Sequence, residues 1–412
     1  MNLSDAIKLP CGVTVPNRIG KSALSEGMAH PEGRPSPALF KLYEEWGKSQ
    51  AGIIFTGNVM TDRRHLVNAN VMIAENDSFL EDYKKLANSA QAHGSQLWMQ
   101  INHPGRQAPK YLDAAPVSAS DVAMPSSVYI RPTPLSEQDI WDVIDRYGNS
   151  ALVAKEAGMS GVQIHGAHGY LVSQFLSGLT NKRTDQWGGS LENRARFALE
   201  IYRNIRKKVG DDFPVGIKIN SADFQRGAFT EEESMEVIKM LDAEKMDLIE
   251  VSGGTYERAA MVGTMQKEST KQREAYFIEF IAKVRELVTT PLMLTGGFRT
   301  LKVMKGALDS KAVDIIGLGR PFCMYPYLAK ELIAGSRKDC MSPDVRTGVD
   351  KIDISGMLVT PWYMFQLHRI GQGLAPDPDM DPWMVYERVT GKSRPTSSVS
   401  YTHLTLPTTP YV

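Results

Sequence analysis

Eight short apolar runs, each bounded by Gly, Asn or Pro, constrain the fold of this 412-residue chain more than any other feature. Runs that are apolar throughout are typical of strands buried on both faces, and strands that alternate with helices form parallel sheets. The predicted strands are Ile19–Leu24, Gly52–Val59, Gln96–Asn102, Gly161–Ala167, Val215–Ser221, Leu248–Gly253, Pro291–Gly297 and Asp314–Arg320.

Segments with helical periodicity separate most of these runs. Two of them begin with the spacing of a capping box, Ser136 with Asp139 and Thr230 with Glu233. The predicted helices are Pro37–Lys48, Phe79–His93, Ser136–Ala157, Leu191–Val209, Thr230–Glu244, Arg273–Leu287 and Leu301–Leu308, and three of them are followed by possible left-handed caps at Gly94, Gly158 and Gly210.

Eight strand–helix repeats predict an α/β protein of the (β/α)8 TIM-barrel class, with one domain over residues 1–390. The alternative is a doubly wound open sheet. Its fingerprint, G-x-G-x-x-G after the first strand, is absent from SALSEGMA. The sequence therefore favours the barrel.

Two segments stand outside this repeat. The connection from about His103 to Gly161 after the third strand is longer than one helix needs, which indicates a lid, a binding loop, or a surface excursion that pairs copies of the chain in a homo-oligomer. Residues 391–412 are expected to be a tail. Its last part, Ser397–Val412, has no Asp, Glu, Lys or Arg and resembles translated sequencing-adapter sequence, with a natural disordered tail as the alternative.

The charge balance argues against two classes of partner. Lys plus Arg and Asp plus Glu each number 47, so a general binder of nucleic acid or of anionic membranes is not expected. We find no stretch of about 18 apolar residues and no N-terminal secretion signal, and the widely spaced Cys11, Cys323 and Cys340 form no disulfide or C-x-x-C pattern. A cytoplasmic enzyme is the expectation.

Reactive residues of such barrels lie at the carboxyl ends of the strands, where the strand-to-helix loops form one face. Polar or glycine residues follow seven or eight of the predicted strands here. The candidates are Ser25, Gly57, Gln100, His165, His168, Tyr170, Lys218, Gly296, Gly297, Gly319 and Arg320.

The chemistry of these candidates points to a bound anion and a polarised oxygen. The glycines of LTGG and GLGRP, with the fork of Arg320, suit a phosphate, although tight turns explain each pair alone. His165 and His168 suit the grip on a carbonyl or phenolate oxygen while Tyr170 gives a proton. Structural histidines or half a metal site are the alternatives, but no further ligand cluster is evident and no metal is predicted.

Two further candidates are open to more than one reading. Lys218 could be a Schiff-base nucleophile or the electrostatic partner of an anionic ring. Gln100 carries both a donor and an acceptor and could contact the edge of a heterocycle.

A run of motifs in fixed order links the chain to a known family. From about Leu9 to Asp381 it resembles the Old Yellow Enzyme family of FMN-dependent NAD(P)H oxidoreductases. The most specific stretch, His165–Ile201, is HGAHGYLVSQFLSGLTNKRTDQWGGSLENRARFALEI. The other motifs are PNRIGKSALSEGMA, QINHPGRQ, VGIKINSADF, LTGGF and GLGRPF.

The resemblance implies a TIM barrel with noncovalent FMN at its mouth. The implied FMN contacts are Ala23, Leu24 and Ser25 beside the first strand, Gly57 and Gln100 at the polar edge of the ring, Lys218 near ring N1 and the C2 carbonyl, and Gly296, Gly297, Gly319 and Arg320 at the phosphate.

The resemblance also implies a reaction. Hydride passes from NADH or NADPH through flavin N5 to the β-carbon of an α,β-unsaturated carbonyl compound. His165 and His168 polarise the carbonyl and Tyr170 protonates the α-carbon, with ping-pong kinetics because both substrates share one face of the ring. Three alternatives stay open: an oxidative demethylase or dienoyl-type reductase of the same family, a flavin-free lyase or isomerase of a phosphorylated substrate, and a flavin-binding protein without turnover.

Some positions depart from the family pattern or carry no chemistry. Ser25 stands where Thr or Cys is usual and Ala23 where Pro is common. Only Cys340 lies where larger relatives hold an iron–sulfur cluster with four cysteines, so no cluster is expected. The segment Arg183–Arg196 is predicted to be structural, with Ser190 capping a helix and Asp185 paired to Arg194 or Arg196.

Overall fold

Eight parallel strands close into a barrel in the computed structural model, which describes residues 1–255, 274–355 and 358–394. The strands follow one another in chain order around the barrel, and the eighth pairs with the first through Ile316 and Ile19. All eight predicted strands and the TIM-barrel fold are confirmed. The strands are β1 Ile19–Lys21, β2 Ile53–Met60, β3 Gln96–Asn102, β4 Gly161–Gly166, β5 Val215–Asn220, β6 Leu248–Ser252, β7 Leu292–Thr295 and β8 Ile315–Leu318.

The strands are apolar throughout because both of their faces are buried. Ile53 and Phe55 of β2 belong to a small apolar cluster with Leu248 of β6 and Met293 of β7. Neither β6 nor β7 is a neighbour of β2, so these side chains meet inside the barrel. Ile54, one residue away, belongs to the large cluster that includes side chains of the surrounding helices. The two-residue period of a strand is therefore kept although no face is polar.

The predicted helices are confirmed within a few residues at their ends, except that Arg273 lies outside the described residues. Both predicted capping boxes are formed, and Gly94, Gly158 and Gly210 have positive φ angles of 93°, 75° and 79°. The predicted helices are α1 Pro37–Gly47, α2 Leu80–Gln91, α3 Glu137–Glu156, α5 Leu191–Val209, α6 Glu231–Ala243, α7 Ile278–Arg285 and α8 Leu301–Asp309, and the further ones are α4 Leu171–Leu176, α9 Pro321–Met324, α10 Leu328–Ala334, α11 Asp350–Ser355, α12 Val359–Gly371 and α13 Pro382–Thr390.

The long connection between β3 and α3 lies against the segment that carries the strongest family motif. It contains a short parallel pair, Val117–Ser118 with Thr133–Pro134. The guanidinium of Arg183 donates to the carbonyl oxygens of Ala119 and Leu135 on the two flanks of that pair. The connection is thus held by hydrogen bonds to the segment after β4.

The predicted structural role of Arg183–Arg196 is borne out at Ser190, whose side chain caps α5 by accepting from the Asn193 amide. The predicted partner of Asp185 was wrong. Asp185 pairs with Arg183, two residues away, and Arg194 pairs with Glu233 on α6. Because Asp185 is already paired with Arg183 within the same loop, Arg194 on α5 is available to pair with Glu233 and links α5 to α6.

The helices after α10 bring the end of the described chain back to the barrel mouth. His368 on α12 lies with its Nε2 2.8 Å from the carbonyl oxygen of Glu26, just after β1. Trp362 on the same helix donates to the carbonyl of Met380 at 2.9 Å. Among the described residues, no helix is both long and apolar enough to cross a membrane.

We expect the cap of α6 to contribute measurably to stability. Thr230→Ala removes the hydroxyl that accepts from the Glu233 amide at 3.2 Å and should lower the free energy of unfolding by about 1 kcal/mol. Thr230→Ser keeps the oxygen and should restore it. Urea unfolding followed by circular dichroism measures both, and an equal loss in the two variants would contradict the capping role.

Candidate active site

The barrel mouth opens into a cavity of about 620 Å³ whose lining includes residues at the ends of all eight strands. This volume lies within the range of about 300–1,000 Å³ that is typical of small-molecule sites. Twelve of the thirteen predicted site residues line it: Ala23, Leu24, Ser25, Gln100, His165, His168, Tyr170, Lys218, Gly296, Gly297, Gly319 and Arg320.

Gly57 is the predicted site residue that is not among the described residues lining the cavity. Its amide donates to Glu26 Oε1 at 2.7 Å and to Tyr43 Oη at 3.2 Å. A Cβ atom at this position would overlap the Glu26 carboxylate, so a glycine is needed for the close approach. In place of Gly57, the following residue, Asn58, supplies the polar contact with the cavity at β2.

Three rings that the sequence singled out stand together after β4. The ring centroid of His165 lies 5.1 Å from that of His168 and 4.8 Å from that of Tyr170. His168 has a φ of 61°, a left-handed conformation that is unfavourable for a residue with a side chain. Gln107 Nε2 donates to the His168 carbonyl at 2.9 Å and holds this turn, which lets both imidazoles face one cavity.

Burial determines the protonation of the two imidazoles. Desolvation lowers the pKa of His165 and of His168 well below the ordinary 6.5, and the nearby ammonium of Lys218 lowers both further. His165 Nδ1 accepts from the Ala167 amide at 3.3 Å, so its proton is on Nε2. His168 Nε2 lies 3.1 Å from Ser252 Oγ. Both rings are therefore neutral hydrogen-bonding groups at neutral pH.

Six polar side chains form a hydrogen-bonded set that we call the polar floor: Ser22, Gln100, Gln163, Lys218, Glu250 and Thr295. Its centre is Glu250, which is fully buried. The Glu250 carboxylate contacts Lys218 Nζ at 2.9 Å, Thr295 Oγ1 at 2.7 Å and Gln163 Nε2 at 2.7 Å. Ser22 and Gln100 join through Thr295 and Gln163, each at 2.8 Å.

The polar floor determines which end of the Gln100 amide is engaged. An ionised carboxylate only accepts hydrogen bonds, so Gln163 must present Nε2 to Glu250. Gln163 therefore presents Oε1 to Gln100, and Gln100 in turn donates through Nε2. Gln100 lines the cavity, and its Oε1 atom is the acceptor that its hydrogen bond to Gln163 leaves available.

The glycine pairs after β7 and β8 lie on adjacent strands, as predicted. Gly296 and Gly297 have φ angles of 136° and 81°, which favour glycine. A Cβ atom on Gly297 would lie 2.7 Å from the ring of Tyr276, so an aromatic neighbour is a second reason for this glycine. Arg320 follows Gly319, and its guanidinium lies 5.9 Å from the ring centroid of Tyr363 on α12. Backbone amides and the Arg320 guanidinium thus border the cavity at these two adjacent strands.

The residues after β1 form another side of the cavity. Ser25 Oγ donates to Asn58 Oδ1 at 3.4 Å, which links the ends of β1 and β2. The side chain of Leu24 lies close to the residue after β8: a Cβ atom built on Gly319 would be 3.4 Å from Leu24 Cδ2. The apolar residues Ala23 and Leu24 lie between Ser22 and Ser25, which also line the cavity.

Sequence reasoning missed two groups of site residues. Glu250 and Gln163 were hidden inside strand runs, where a single polar residue in LIEVSG or GVQIHGA was the available signal. The second group lies after the barrel and lines the cavity from positions far along the chain. It includes Met341, Asp344, Arg346, Thr360, Tyr363 and Leu367.

A second cluster, formed by Asp62, His65 and His103, has the composition of a metal site. Their possible ligand atoms lie within 4.8 Å of one another. However, both carboxylate oxygens of Asp62 accept from the Arg64 side chain. His103 Nδ1 accepts from the Gly105 amide at 3.0 Å, so its Nε2 carries a proton and cannot ligate. The cluster is therefore not a prepared ligand set.

Comparison with known protein sequences identifies relatives over most of the chain. The profile of the NADH:flavin oxidoreductase / NADH oxidase family matches residues 5–339. An NADH-dependent flavin oxidoreductase of Aspergillus parasiticus is 38% identical over 347 residues, which cover 80% of this chain and 78% of that protein.

Solved structures share the fold. A 2-naphthoyl-CoA reductase in complex with 2-naphthoyl-CoA matches with a TM-score of 0.77 and 28% identity over 82% of this chain and 53% of that chain. The chain therefore spans about half the length of that reductase. An old yellow enzyme homologue from Zymomonas mobilis matches with a TM-score of 0.70 and 23% identity, over 82% of this chain and 94% of that chain.

The lowered pKa values of the two imidazoles make a prediction. An imidazole whose folded-state pKa is lowered stays neutral as the pH falls through its ordinary value, so His165 and His168 should remain neutral from pH 8 to below 6.5. Nitrogen-15 NMR of protein labelled in histidine measures this, with signals assigned through the His165→Asn and His168→Asn variants. A titration midpoint near 6.5 for either ring would contradict the assignment.

Proposed function

Because the chain belongs to the NADH:flavin oxidoreductase / NADH oxidase family, we propose that it reduces the activated C=C bond of α,β-unsaturated carbonyl compounds. FMN-dependent oxidoreduction with a nicotinamide reductant follows from the family. The observation that carries the finer proposal is the packing of His168 and Tyr170 within 5.1 Å of His165 at the cavity. Two hydrogen-bonding imidazoles beside a phenol suit a substrate whose oxygen must be polarised and whose carbon must be protonated.

The residues of the cavity fit the two polar ends of FMN. Gln100 and Lys218 offer an amide acceptor and an ammonium, which suit the pyrimidine edge of the ring. Gly296 and Gly297 with Arg320 offer backbone amides and a guanidinium, which suit the phosphate. In the closed barrel, Gln100 on β3 is three strands from β8 and four from β7, and Lys218 on β5 is two strands from β7 and three from β8, so the two sets stand at separate strands of the barrel mouth. A long ligand with an imide at one end and a phosphate at the other matches this separation.

Bound FMN would supply a two-electron carrier between the nicotinamide and the alkene. The part proposed for the protein is to polarise and protonate the substrate. His165 and His168 donate hydrogen bonds to the carbonyl oxygen, and Tyr170 gives its proton to the α-carbon and is reprotonated from solvent. Overall, the π bond of the C=C group breaks and the C–C single bond remains, as one hydrogen arrives at the β-carbon with two electrons from NADH or NADPH and a proton arrives at the α-carbon.

Neutral imidazoles suit this role for an electrostatic reason. The carbonyl oxygen gains negative charge as the β-carbon is reduced, so hydrogen bonds to it become stronger along the reaction and lower the barrier.

We further propose that the nicotinamide and the alkene bind in turn at the face formed by His165, His168 and Tyr170. Binding in turn gives ping-pong kinetics.

One alternative from the sequence is disfavoured by the site. A Schiff-base lyase needs a lysine that is free to attack a carbonyl, whereas Lys218 Nζ is held in an ion pair 2.9 Å from the buried carboxylate of Glu250. The likeness to a 2-naphthoyl-CoA reductase supports a second candidate within the same chemistry, a dienoyl-type reduction of a larger conjugated substrate.

The visible absorbance of FMN tests the proposal in its two halves. The purified protein with FMN should be yellow, should bleach with NADH or NADPH under anaerobic conditions, and should regain its colour when cyclohexenone is added. Tyr170→Phe should slow the return of colour by at least about 100-fold, the size expected for a lost general acid, and should leave the bleaching step unchanged.

Tyr327→Phe is the matched control, because Tyr327 Oη contacts Glu45 Oε2 at 2.5 Å on the protein surface. Both half-reactions should be unchanged in this variant. Equal slowing of the two steps in Tyr170→Phe would contradict its role as proton donor. A protein that bleaches but is never recoloured by an enone would refute ene-reduction.

The proposed phosphate contact of Arg320 gives a separate prediction. Arg320→Gln removes a charge-assisted hydrogen bond of about 1.5–3 kcal/mol, so the Kd of FMN should rise about 10- to 100-fold. Riboflavin lacks the phosphate, and its Kd should change by less than about twofold. Fluorescence titration of the apoprotein measures both, with Arg203→Gln on the outer surface of α5 as the control. Equal weakening of the two flavins would refute the contact.

A further inference from the structure

We propose that Glu250 is a positioning residue that keeps the redox potential of bound FMN low by opposing the charge of Lys218. The inference rests on the proposed function, because it requires the flavin ring to lie against Lys218. Glu250 is not among the described residues that line the cavity. It therefore acts through Lys218, which does line it.

The two side chains are held together by the fold. Lys218 on β5 and Glu250 on β6 are direct partners in the strand register, and Nζ lies 2.9 Å from Oε1. Glu250 is fully buried and Lys218 is 4% exposed, so water does little to screen the pair. Thr295 and Gln163 donate to the same carboxylate, which fixes it behind the ammonium.

The pair matters because reduction changes the charge of the flavin. Two-electron reduction favours an anion at the N1–C2 edge of the ring, and a cation beside that edge makes reduction easier. A carboxylate directly behind the cation cancels much of this attraction. Its effect in a buried site is larger than on a surface because the local dielectric constant is low.

Among the lysines of the described residues, Lys21 is also buried in the barrel, and it is held differently. Its Nζ donates to the carbonyl oxygen of Phe55 at 2.9 Å and lies 3.8 Å from the ring centroid of Trp46. The Lys218 charge is the one that both lines the cavity and contacts Glu250 directly.

The consequence concerns the balance between the two halves of the reaction. A cation without a counter-charge would favour the reduced flavin and slow the transfer of electrons to the alkene. Glu250 preserves the geometry of Lys218 as a hydrogen-bond donor while limiting its electrostatic effect. The redox potential of bound FMN, and with it the rate of electron transfer to the alkene, therefore depends on a residue of the barrel interior and not only on residues in contact with FMN.

The test is the midpoint potential of the FMN-loaded protein, measured against a reference dye. Glu250→Gln keeps the length of the side chain and its ability to accept from Lys218, and it removes the charge. The equilibrium with the dye should shift at least about tenfold towards reduced FMN, a rise of about 30 mV for a two-electron couple. Glu250→Asp, which retains the charge but withdraws it by one methylene, should shift the equilibrium less and in the same direction.

A double-mutant cycle identifies the route of the effect. Lys218→Met alone should lower the potential. Adding Glu250→Gln to it should change the equilibrium by less than about twofold, because a fully buried carboxylate that has lost its counter-charge takes up a proton and no longer carries the charge that the second substitution removes. Thr295→Val is the matched control, since it removes one donor to Glu250 and keeps both charges, and its shift should stay below about threefold.

Two results would overturn the inference. One is an unchanged potential in Glu250→Gln, or in Glu250→Asp if the first variant does not fold, at full FMN occupancy. The other is an equal rise with and without Lys218. The measurement contains no alkene, so failure to reduce an enone would bear on the proposed substrate alone.

Discussion

A carboxylate with no exposure to solvent, Glu250, joins polar side chains from five other strands or their ends, three by direct contact and two through Thr295 and Gln163. A buried polar group that loses its partner costs about 1–3 kcal/mol, so each member of the polar floor depends on the others. Beneath it, the apolar cluster of Ile53, Phe55 and Trp98 fills the barrel. The interior is therefore layered, with an apolar plug, the polar floor and then the cavity. The orientation of Gln100 and the charge beside Lys218 are consequences of this layering.

The sequence predicted elements whose patterns are local. The strand runs, the capping boxes at Ser136 and Thr230 and the glycine caps were all readable, because a few neighbouring residues determine each of them. The helix Leu171–Leu176 was missed because all six of its residues are buried, which leaves no polar face to show a helical period. The choice between alternative partners was also hidden. Asp185 pairs with Arg183, two residues away, and the Gly57 amide donates to Glu26, because the packing of the folded chain decides which partners meet.

The candidate site was predictable to the extent that a strand end marks it. Residues such as His165 and Tyr170 end or follow strands, and the barrel brings all strand ends to one face. Glu250 lies within a strand and contributes only through hydrogen bonds to neighbours, so nothing in its local pattern separates it from an ordinary buried residue. Tyr363 reaches the cavity because α12 returns to the mouth, where His368 lies against the Glu26 carbonyl. A contact between positions so distant along the chain has no local signal.

Although the formal net charge of the chain is zero, individual charges act at short range inside the site, above all those of Lys218 and Glu250. Burial lowers the pKa of both imidazoles and the Lys218 ammonium lowers it further, so His165 and His168 stay neutral, and Glu250 balances Lys218 on its other side. A neutral imidazole binds an uncharged carbonyl more weakly than an imidazolium does, but its hydrogen bond strengthens as the oxygen gains charge. The same ammonium can therefore serve two purposes at once. It suppresses positive charge where the substrate oxygen would sit, and it supplies a limited positive charge where the flavin would need one.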